Sequence, residues 1–206
     1  MMKSKIIFNK EAGEVIKICN SPSEFKKELY IFEKSLDNIP KLINHDNRIK
    51  LVLEYIPGKR LLDMSNPNFS QIATLFSELH SVERHKNKVI CQVDTNPRNY
   101  LGYKGKYFML DFAEWEYNEP EVDLINFLLF WASMQRDYKF RNTCHEFLNS
   151  YHQQCPINVI EWEILLADLI EKFDWRRSIY CKKERTLTPD TATNREYLAN
   201  INSIIK

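Results

Sequence analysis

Short β-prone runs and a single amphipathic stretch fill the first third of the chain. The runs, rich in β-branched and aromatic residues, lie at 6–8, 15–18, 41–44 and 49–56. The first two flank a loop that carries Gly13, which predicts an antiparallel hairpin. Apolar residues then recur at helical spacing from 24 to 36, and Ser23 is the expected N-cap. This pattern predicts a small sheet with one helix.

The pattern changes at the Pro57-Gly58 break and becomes mainly helical. The helical segments are expected at 68–83, 121–133, 138–153, 157–181 and 190–205, with strand-like runs at 88–93 and 107–112 and a hairpin turn at 103–106. We therefore predict an α+β fold of two lobes, a small N-terminal lobe over residues 1–57 and a mainly helical C-terminal lobe over 58–206. A cleft between two such lobes is a usual place for a ligand.

Composition and charge exclude several classes of protein. With 44% hydrophobic and 28% charged residues, the chain fits a folded globular protein. The net charge of +1 gives no general reason to bind nucleic acid or an anionic membrane. The longest apolar stretch, 124–132, is far shorter than the ~18 residues of a spanning helix, and the N-terminus lacks an apolar secretory segment, so we expect a cytoplasmic protein. The five cysteines are widely spaced without a CxxC pair, which indicates reduced thiols.

Two short segments contain candidate catalytic and metal-binding residues. In Gln92-Val-Asp-Thr-Asn-Pro-Arg-Asn99, the side chains of Asp94 and Asn99 are five residues apart. Asp111 follows Asn99 by twelve residues, directly after an apolar strand-like run. Carboxylate and amide oxygens are the hard ligands that Mg²⁺ prefers. Phosphoryl transfer needs an aligned hydroxyl and neutralised phosphate charge, which residues of these types can supply.

The arrangement resembles the aminoglycoside phosphotransferase and choline kinase superfamily, which has a protein-kinase-like fold. The catalytic loop of that superfamily reads HGDxHxxN and its metal-binding segment reads IDF or IDW. The resemblance covers roughly residues 5–133. It implies Asp94 as the catalytic base and Asn99 and Asp111 as Mg²⁺ ligands. It also implies ATP as the phosphate donor and the hydroxyl of a small molecule as the acceptor.

Lys17 extends the resemblance into the first lobe. In Val15-Ile-Lys17-Ile it matches the strand lysine that contacts the α- and β-phosphates in this superfamily. The following helix is expected to supply an acidic partner for that lysine. Glu28 is the implied partner, and Glu24 and Glu33 compete with it for the role.

Three further positions match the superfamily. The segment 51–58 resembles the inter-lobe hinge, in which the Glu54 carbonyl and the Ile56 amide would bind adenine through backbone groups. His80 ends a Leu-His pair, and we expect it to face the core and satisfy a buried backbone group. Asp123 matches an Asp-Leu pair that starts the helical region, and we expect it to anchor the catalytic loop from a helix N-terminus.

The sequence also departs from the superfamily pattern. Gln92 and Val93 stand where the catalytic loop has histidine and glycine, Asn96 replaces its second histidine, and Arg98 replaces a glycine. Gly13 lies between two strands and is typical of a turn, so a glycine-rich phosphate loop is missing. Three outcomes stay open: weak nucleotide affinity, binding that needs only the metal and Lys17, or lost catalysis.

We therefore expect an ATP-dependent kinase whose acceptor is a sugar, an amino sugar or an amino alcohol. One alternative is a minimal atypical protein kinase of the Bud32 and RIO type, although the long helical C-terminal region disfavours it. A second is a catalytically impaired nucleotide-binding module. The acidic residues Glu114, Glu116, Glu119 and Glu121 would suit a cationic acceptor, but an exposed acidic turn explains them more simply. Trp162, Trp175 and the Arg176-Arg177 pair follow a helical pattern, and we expect core and surface residues there rather than a substrate cage.

Overall fold

A computed structural model describes residues 4–180 and 188–205. Its contacts divide the chain into two compact units. The first unit comprises Met1–Pro67 together with Pro97–Trp115, and the second comprises Asn68–Asn96 together with Glu116–Lys206. The predicted lobe boundary between residues 57 and 58 stays a prediction.

The described residues form the following strands and helices, in chain order. The strands are β1 (Lys5–Asn9), β2 (Glu14–Ile18), β3 (Leu42–His45), β4 (Lys50–Glu54), β5 (Lys59–Arg60), β6 (Arg84–His85), β7 (Lys88–Cys91), β8 (Tyr100–Tyr103), β9 (Lys106–Met109) and β10 (Glu116–Asn118). The helices are α1 (Pro22–Phe32), α2 (Phe69–Ser81), α3 (Pro120–Ala132), α4 (Asp137–Gln154), α5 (Val159–Tyr180), α6 (Pro189–Ala199) and α7 (Ile201–Ile204). Short 3-10 turns lie at Leu61–Asp63 and Pro97–Asn99.

The first unit contains two antiparallel sheets. The larger has the strand order β1-β2-β4-β3, and the smaller has the order β5-β8-β9. The β1–β2 hairpin turns at Gly13, whose φ of 70° lies in the region that glycine adopts without strain. The β8–β9 hairpin turns at Lys104 and Gly105, both at positive φ, as a tight two-residue hairpin requires.

Helix α1 begins and ends earlier than its pattern predicts. Ser21, not Ser23, is the N-cap, because its hydroxyl accepts a hydrogen bond from the amide of Glu24 at 3.1 Å. Pro22 occupies the first helical position, where its missing N–H costs nothing. The helix stops at Phe32, and the positive φ of Ser35 prevents it from reaching residue 36. The predicted cap and end were therefore wrong.

The second unit is mainly helical and has an aromatic core. Phe127 of α3 packs edge-on against Phe76 of α2, with 5.3 Å between ring centroids, and lies 4.8 Å from Phe147 of α4. A small sheet of order β10-β7-β6 lies in the same unit. Trp162 of α5 is fully buried there, whereas Trp175 of the same helix is exposed.

Some elements differ from the sequence prediction. Strands β5, β6, β8 and β10 were not predicted, since two to four residues are too few to establish a periodicity. The helix predicted at 190–205 is interrupted at Asn200, where α6 ends and α7 begins. The predicted end of the preceding helix at residue 181 lies outside the described residues.

The cysteines and the helix lengths agree with the sequence expectations as far as the structure describes them. Cys19, Cys91 and Cys144 are buried free thiols and Cys155 is a half-buried one, while Cys181 lies outside the described residues. Among the described helices, none combines the length and the apolar character that a membrane crossing requires.

Candidate functional site

A cavity of about 330 Å³ lies within the first unit. Its lining includes every residue that the sequence assigns to a site except Asp94, namely Lys17, Glu28, Glu54, Ile56, Asn99 and Asp111. The apolar lining residues Val15, Leu53, Leu101 and Leu110 complete much of the wall. We call this space the unit 1 cavity. An apolar wall with a few convergent polar groups is the usual character of a small-molecule site.

Lys17 joins two carboxylates at one side of the unit 1 cavity. Its Nζ atom lies 2.8 Å from Oε1 of Glu28 and 2.9 Å from Oδ1 of Asp111. The carboxylate of Glu28 also accepts a hydrogen bond from the backbone amide of Phe112 at 2.7 Å. Glu28 is thus the partner of Lys17, rather than Glu24 or the C-cap residue Glu33. It ties strand β2 to the segment that follows β9.

Burial and charge set the protonation of these three groups. Burial disfavours the charged form of Lys17, but the carboxylates of Glu28 and Asp111 outweigh it and raise the pKa of the ammonium. Burial also disfavours the ionised form of Asp111, yet the adjacent ammonium lowers the pKa of this carboxyl. Glu28 is fully buried, and burial raises the pKa of its carboxyl to about 7. Lys17 and Asp111 are therefore charged at neutral pH.

The β8–β9 hairpin explains the spacing of Asn99 and Asp111. Tyr100 pairs with Met109 at the open end of the hairpin, so the residues just outside that pair are brought side by side. The amide of Leu110 donates to the carbonyl of Asn99 at 2.7 Å. Asp111 has a φ of 61°, which is uncommon for a residue with a side chain. The hairpin thus places the side-chain amide of Asn99 and the carboxylate of Asp111 in one cavity.

The segment after β4 forms another part of the cavity wall. The amide of Tyr55 donates to the carbonyl of Gly13 at 2.8 Å, which draws this segment toward the β1–β2 turn. Gly58 passes so close to β8 that an added Cβ would lie 2.8 Å from the carbonyl oxygen of Gly102. Glycine is therefore required at position 58, which gives a structural reason for the Pro-Gly break in the sequence.

Trp115 fastens the segment after Asp111 to helix α1, and sequence reasoning missed this contact. The indole N–H donates to the carbonyl of Lys27 at 2.8 Å, and the ammonium of Lys27 donates to the carbonyl of Trp115 at 2.9 Å. The indole also stacks on Tyr30, with 5.1 Å between ring centroids. These contacts hold α1, and with it Glu28, against the chain next to Asp111.

Asp94 belongs to the second unit and is half-buried there. Its amide donates to the carbonyl of Gln92 at 2.8 Å, forming a tight turn. Val93, inside that turn, has a φ of 67°. A β-branched residue in this conformation is a strong outlier that costs about 1–3 kcal/mol. The glycine of the superfamily motif at this position would adopt the conformation freely.

The carboxylate of Asp123 holds the Val93 turn in place. Its two oxygens accept hydrogen bonds from the amides of Gln92 and Val93, both at 2.7 Å. Asp123 lies in the first turn of α3, where a carboxylate is favoured by the helix dipole. The predicted anchoring role of Asp123 is therefore confirmed.

His80 has a different partner from the one predicted. Its ring nitrogens lie 2.7 Å from the hydroxyl of Tyr151 and 3.2 Å from the carboxylate of Asp123, so side chains rather than a backbone group satisfy it. Glu121 is also buried, and its carboxylate accepts a hydrogen bond from the amide of Asn158 at 2.7 Å. Glu121 therefore has a structural role and does not belong to an exposed acidic turn.

We expect Asp123→Asn to lower the free energy of unfolding by about 2–4 kcal/mol. An asparagine can accept from one of the two amides, but it turns an NH₂ group toward the other donor and leaves that donor unsatisfied. Urea denaturation measures the change. Asp168→Asn, on the exposed side of α5, is the matched control and should shift stability by less than about 0.5 kcal/mol. Equal stabilities of the two variants would contradict the anchoring role.

No protein-family model and no curated protein matches the sequence. Solved structures do match its fold. Choline kinase LicA from Streptococcus pneumoniae superposes with a TM-score of 0.64 at 17% identity, covering 99% of this chain and 90% of the kinase. An ADP-bound aminoglycoside phosphotransferase, APH(2'')-Ib, gives 0.59 at 14%, covering 97% and 93%. An aminoglycoside phosphotransferase from Alicyclobacillus acidocaldarius gives 0.64 at 10%, covering 98% and 92%.

These matches extend over nearly the full length of each protein. The chain has the protein-kinase-like α+β fold of choline kinases and aminoglycoside phosphotransferases. The predicted fold class and the resemblance in fold are confirmed.

Proposed function

We propose that the chain is a phosphotransferase that moves the γ-phosphate of ATP to a hydroxyl of a small molecule. The observation that carries this proposal is the linked group of Lys17, Glu28 and Asp111 in the unit 1 cavity, which Asn99 also lines. A fixed ammonium, an amide and a carboxylate beside an apolar pocket suit the phosphates and the base of a nucleotide.

Lys17 would bind the phosphates of ATP. Its ammonium is held in position by two carboxylates, so its side-chain entropy is already lost before a ligand arrives. Arg60 and Arg98 also line the unit 1 cavity, which makes its polar side attractive to a polyanion. Fixed donors of this kind stabilise charge on a transferring phosphoryl group without reorganisation during the reaction.

Asn99 and Asp111 would hold Mg²⁺. Their amide and carboxylate oxygens are hard ligands, and the side chain of Asp111 is 44% exposed even though Lys17 binds one of its oxygens. The donor set therefore fits the ion. When bound, Mg²⁺ neutralises charge on the phosphates. The ammonium of Lys17 keeps Asp111 ionised and hence able to act as a ligand.

The adenine ring would lie against the apolar wall of the unit 1 cavity. The carbonyl of Glu54 and the amide of Ile56 would bind its edge, because an acceptor and a donor at the end of a strand match that edge. Ile6 and Phe8 of β1 line the same cavity. Strand β1 would therefore cover part of the nucleotide in the absence of a glycine-rich loop.

Asp94 would act as the catalytic base on the acceptor hydroxyl. The Val93 turn and its two bonds to Asp123 fix the backbone on which Asp94 sits, as a positioned base requires. Proteins that share the fold support the proposed acceptor class, among them a choline kinase, an ethanolamine kinase and an aminoglycoside phosphotransferase in complex with gentamicin. We propose an amino alcohol or amino sugar over a protein acceptor.

An acceptor screen tests the proposal. ADP release is followed with ATP and Mg²⁺ against pools of amino alcohols, sugars, amino sugars and a general protein substrate. We expect release with one of the small-molecule pools. Transfer to the protein alone would favour the Bud32 and RIO alternative, and Mg²⁺-dependent ATP binding without transfer to any pool would favour the non-catalytic module.

We expect Lys17→Met to weaken ATP binding about 10- to 100-fold, because one charge-assisted contact to the phosphates is lost. Glu28 would then take up a proton, since its pKa is already raised to about 7 by burial, so the fold should survive. Calorimetric titration with ATP and Mg²⁺ measures the loss. Lys26→Met, on the exposed side of α1, is the control and should bind ATP like the unaltered protein. Equal affinities of both variants would refute the phosphate role of Lys17.

A further inference from the structure

The carboxylate of Glu28 is only partly satisfied in its buried position on α1. Its Oε1 atom accepts hydrogen bonds from the ammonium of Lys17 at 2.8 Å and from the amide of Phe112 at 2.7 Å. Its Oε2 atom is buried and has no hydrogen-bond partner within the described part of the chain. A buried carboxylate oxygen without a donor costs free energy that exposure to water would remove. This cost opposes the ion pair with Lys17, so other contacts of α1 contribute to keeping Glu28 in place.

The contacts that oppose this cost begin one residue before Glu28. The ammonium of Lys27 donates to the carbonyl of Trp115 at 2.9 Å, and the indole N–H of Trp115 donates to the carbonyl of Lys27 at 2.8 Å. Each of the two side chains thus bonds to the backbone of the other residue. The indole ring also stacks on Tyr30 of the same helix, with 17° between the ring planes. We call the two reciprocal hydrogen bonds the Lys27–Trp115 clamp.

The Lys27–Trp115 clamp joins the two elements that hold Lys17. Lys27 is the neighbour of Glu28 on α1, and Trp115 follows Asp111 by four residues. The Nζ atom of Lys17 lies between the two acidic residues, 2.8 Å from Glu28 and 2.9 Å from Asp111. A shift of α1 away from Trp115 would therefore separate Glu28 from Lys17. The clamp prevents that shift.

Neither member of the clamp belongs to the proposed nucleotide site. Lys17, Glu28 and Asp111 line the unit 1 cavity, whereas Lys27 and Trp115 do not. An effect of these two residues on ATP affinity therefore has to act through the position of α1. One charge-assisted hydrogen bond, one neutral hydrogen bond and a stacked ring pair are together sufficient to outweigh the cost of one unsatisfied oxygen.

We propose that Lys27 and Trp115 are positioning residues for Lys17, because their clamp holds α1 where Glu28 fixes the ammonium and thereby sets the affinity for ATP. This inference rests on the proposed binding of the ATP phosphates by Lys17. The coupling between the clamp and the nucleotide is reciprocal. Opening the clamp weakens ATP binding, and bound ATP stabilises the closed clamp by the same factor.

Two single variants test the clamp. Trp115→Phe removes the indole N–H but keeps an aromatic ring beside Tyr30, and Lys27→Met removes the ammonium but keeps most of the side-chain length. In the nucleotide-free chain, the amides of α1 should exchange hydrogen about tenfold faster in each variant, while those of α2 in the second unit keep their rates. Calorimetric titration with ATP and Mg²⁺ should show binding about tenfold weaker in each.

The variant with both changes distinguishes a clamp from two independent contacts. If the two hydrogen bonds form and break together, the double variant should bind ATP no more than about threefold more weakly than either single variant. Independent contacts would instead multiply to a loss of about a hundredfold. A loss of that size overturns the clamp.

Two matched controls accompany these variants. Lys26→Met, at the exposed neighbour of Lys27, and Trp175→Phe, at a 64% exposed tryptophan of α5, should change neither the exchange of α1 nor the ATP affinity. Unchanged α1 exchange in Trp115→Phe overturns the proposal. Faster exchange across the whole first unit with unchanged ATP affinity also overturns it, because that result indicates a role in stability alone.

A failure of the proposed function gives a different result. An unaltered chain that does not bind ATP overturns that function and, with it, the effect of the clamp on ATP affinity. The exchange of α1 in the nucleotide-free chain needs no ATP, so it still decides whether Lys27 and Trp115 position the helix that carries Glu28.

Discussion

Asp111→Asn is expected to lower kcat/KM for Mg²⁺-dependent phosphoryl transfer about a thousandfold. The substitution keeps the shape of the side chain but removes the negative charge that would neutralise the metal. It also removes one of the two carboxylates that hold the ammonium of Lys17, whose Nζ lies 2.9 Å from Oδ1 of Asp111. Steady-state ADP release at saturating Mg²⁺ measures the effect.

A binding measurement separates the loss of the metal from a loss of the fold. ATP should still raise the melting temperature of Asp111→Asn, but added Mg²⁺ should no longer increase that shift. Asp37→Asn, at an exposed position of the same unit, should keep both the activity and the Mg²⁺ effect. Activity of Asp111→Asn within about threefold of the unaltered protein would remove Asp111 from the proposed metal site.

The sequence was sufficient where short-range spacing dictates the geometry. A β-hairpin closes the eleven residues between Asn99 and Asp111, and the sequence predicted its turn at 103–106 and its second strand, although not strand β8. The role of Asp123 could also be predicted from the sequence, because a carboxylate in the first turn of a helix commonly accepts hydrogen bonds from backbone amides. In both cases local rules decide the contact.

The sequence was insufficient where distant segments meet without a periodic signal. The contacts between Trp115 and Lys27 span 88 residues and use backbone carbonyls, which leave no trace in the pattern of residue types. Strand β5 has two residues and exists because it pairs with β8, whose partner residues lie more than forty positions further along the chain. The same limit applies to His80. The sequence predicted that it faces the core, but its hydrogen-bond partner Tyr151 lies on α4, and no spacing rule connects the two residues.

Helix α5 shows a further limit of pattern reading. Apolar residues on both faces of a helix produce almost no amphipathic signal, so the pattern predicts the helix but not which face is buried. Only the packing in the second unit, where Trp162 and Leu166 are buried, identifies the inward face of the helix.

Asp94→Ala is expected to lower kcat by about 10²- to 10⁴-fold while the affinity for ATP and Mg²⁺ stays within about twofold. The reason is that Asp94 and the proposed nucleotide and metal ligands have separate roles. The proposed nucleotide and metal contacts all come from residues that line the unit 1 cavity, and Asp94 is not among them. Removing its carboxylate deletes the base for the acceptor hydroxyl but none of those contacts. Single-turnover phosphoryl transfer measures the first quantity and calorimetric titration with ATP and Mg²⁺ measures the second.

Asn96→Ala provides the control for Asp94→Ala, because it truncates a half-buried polar side chain two residues away in the same segment. We expect its kcat to fall much less, by no more than about tenfold, since it would remove no proton acceptor. Two results would disprove the proposed role of Asp94. One is a kcat of Asp94→Ala close to that of the unaltered protein, which would show that another group accepts the proton. The other is a large loss of ATP affinity with kcat retained, which would make Asp94 a nucleotide ligand.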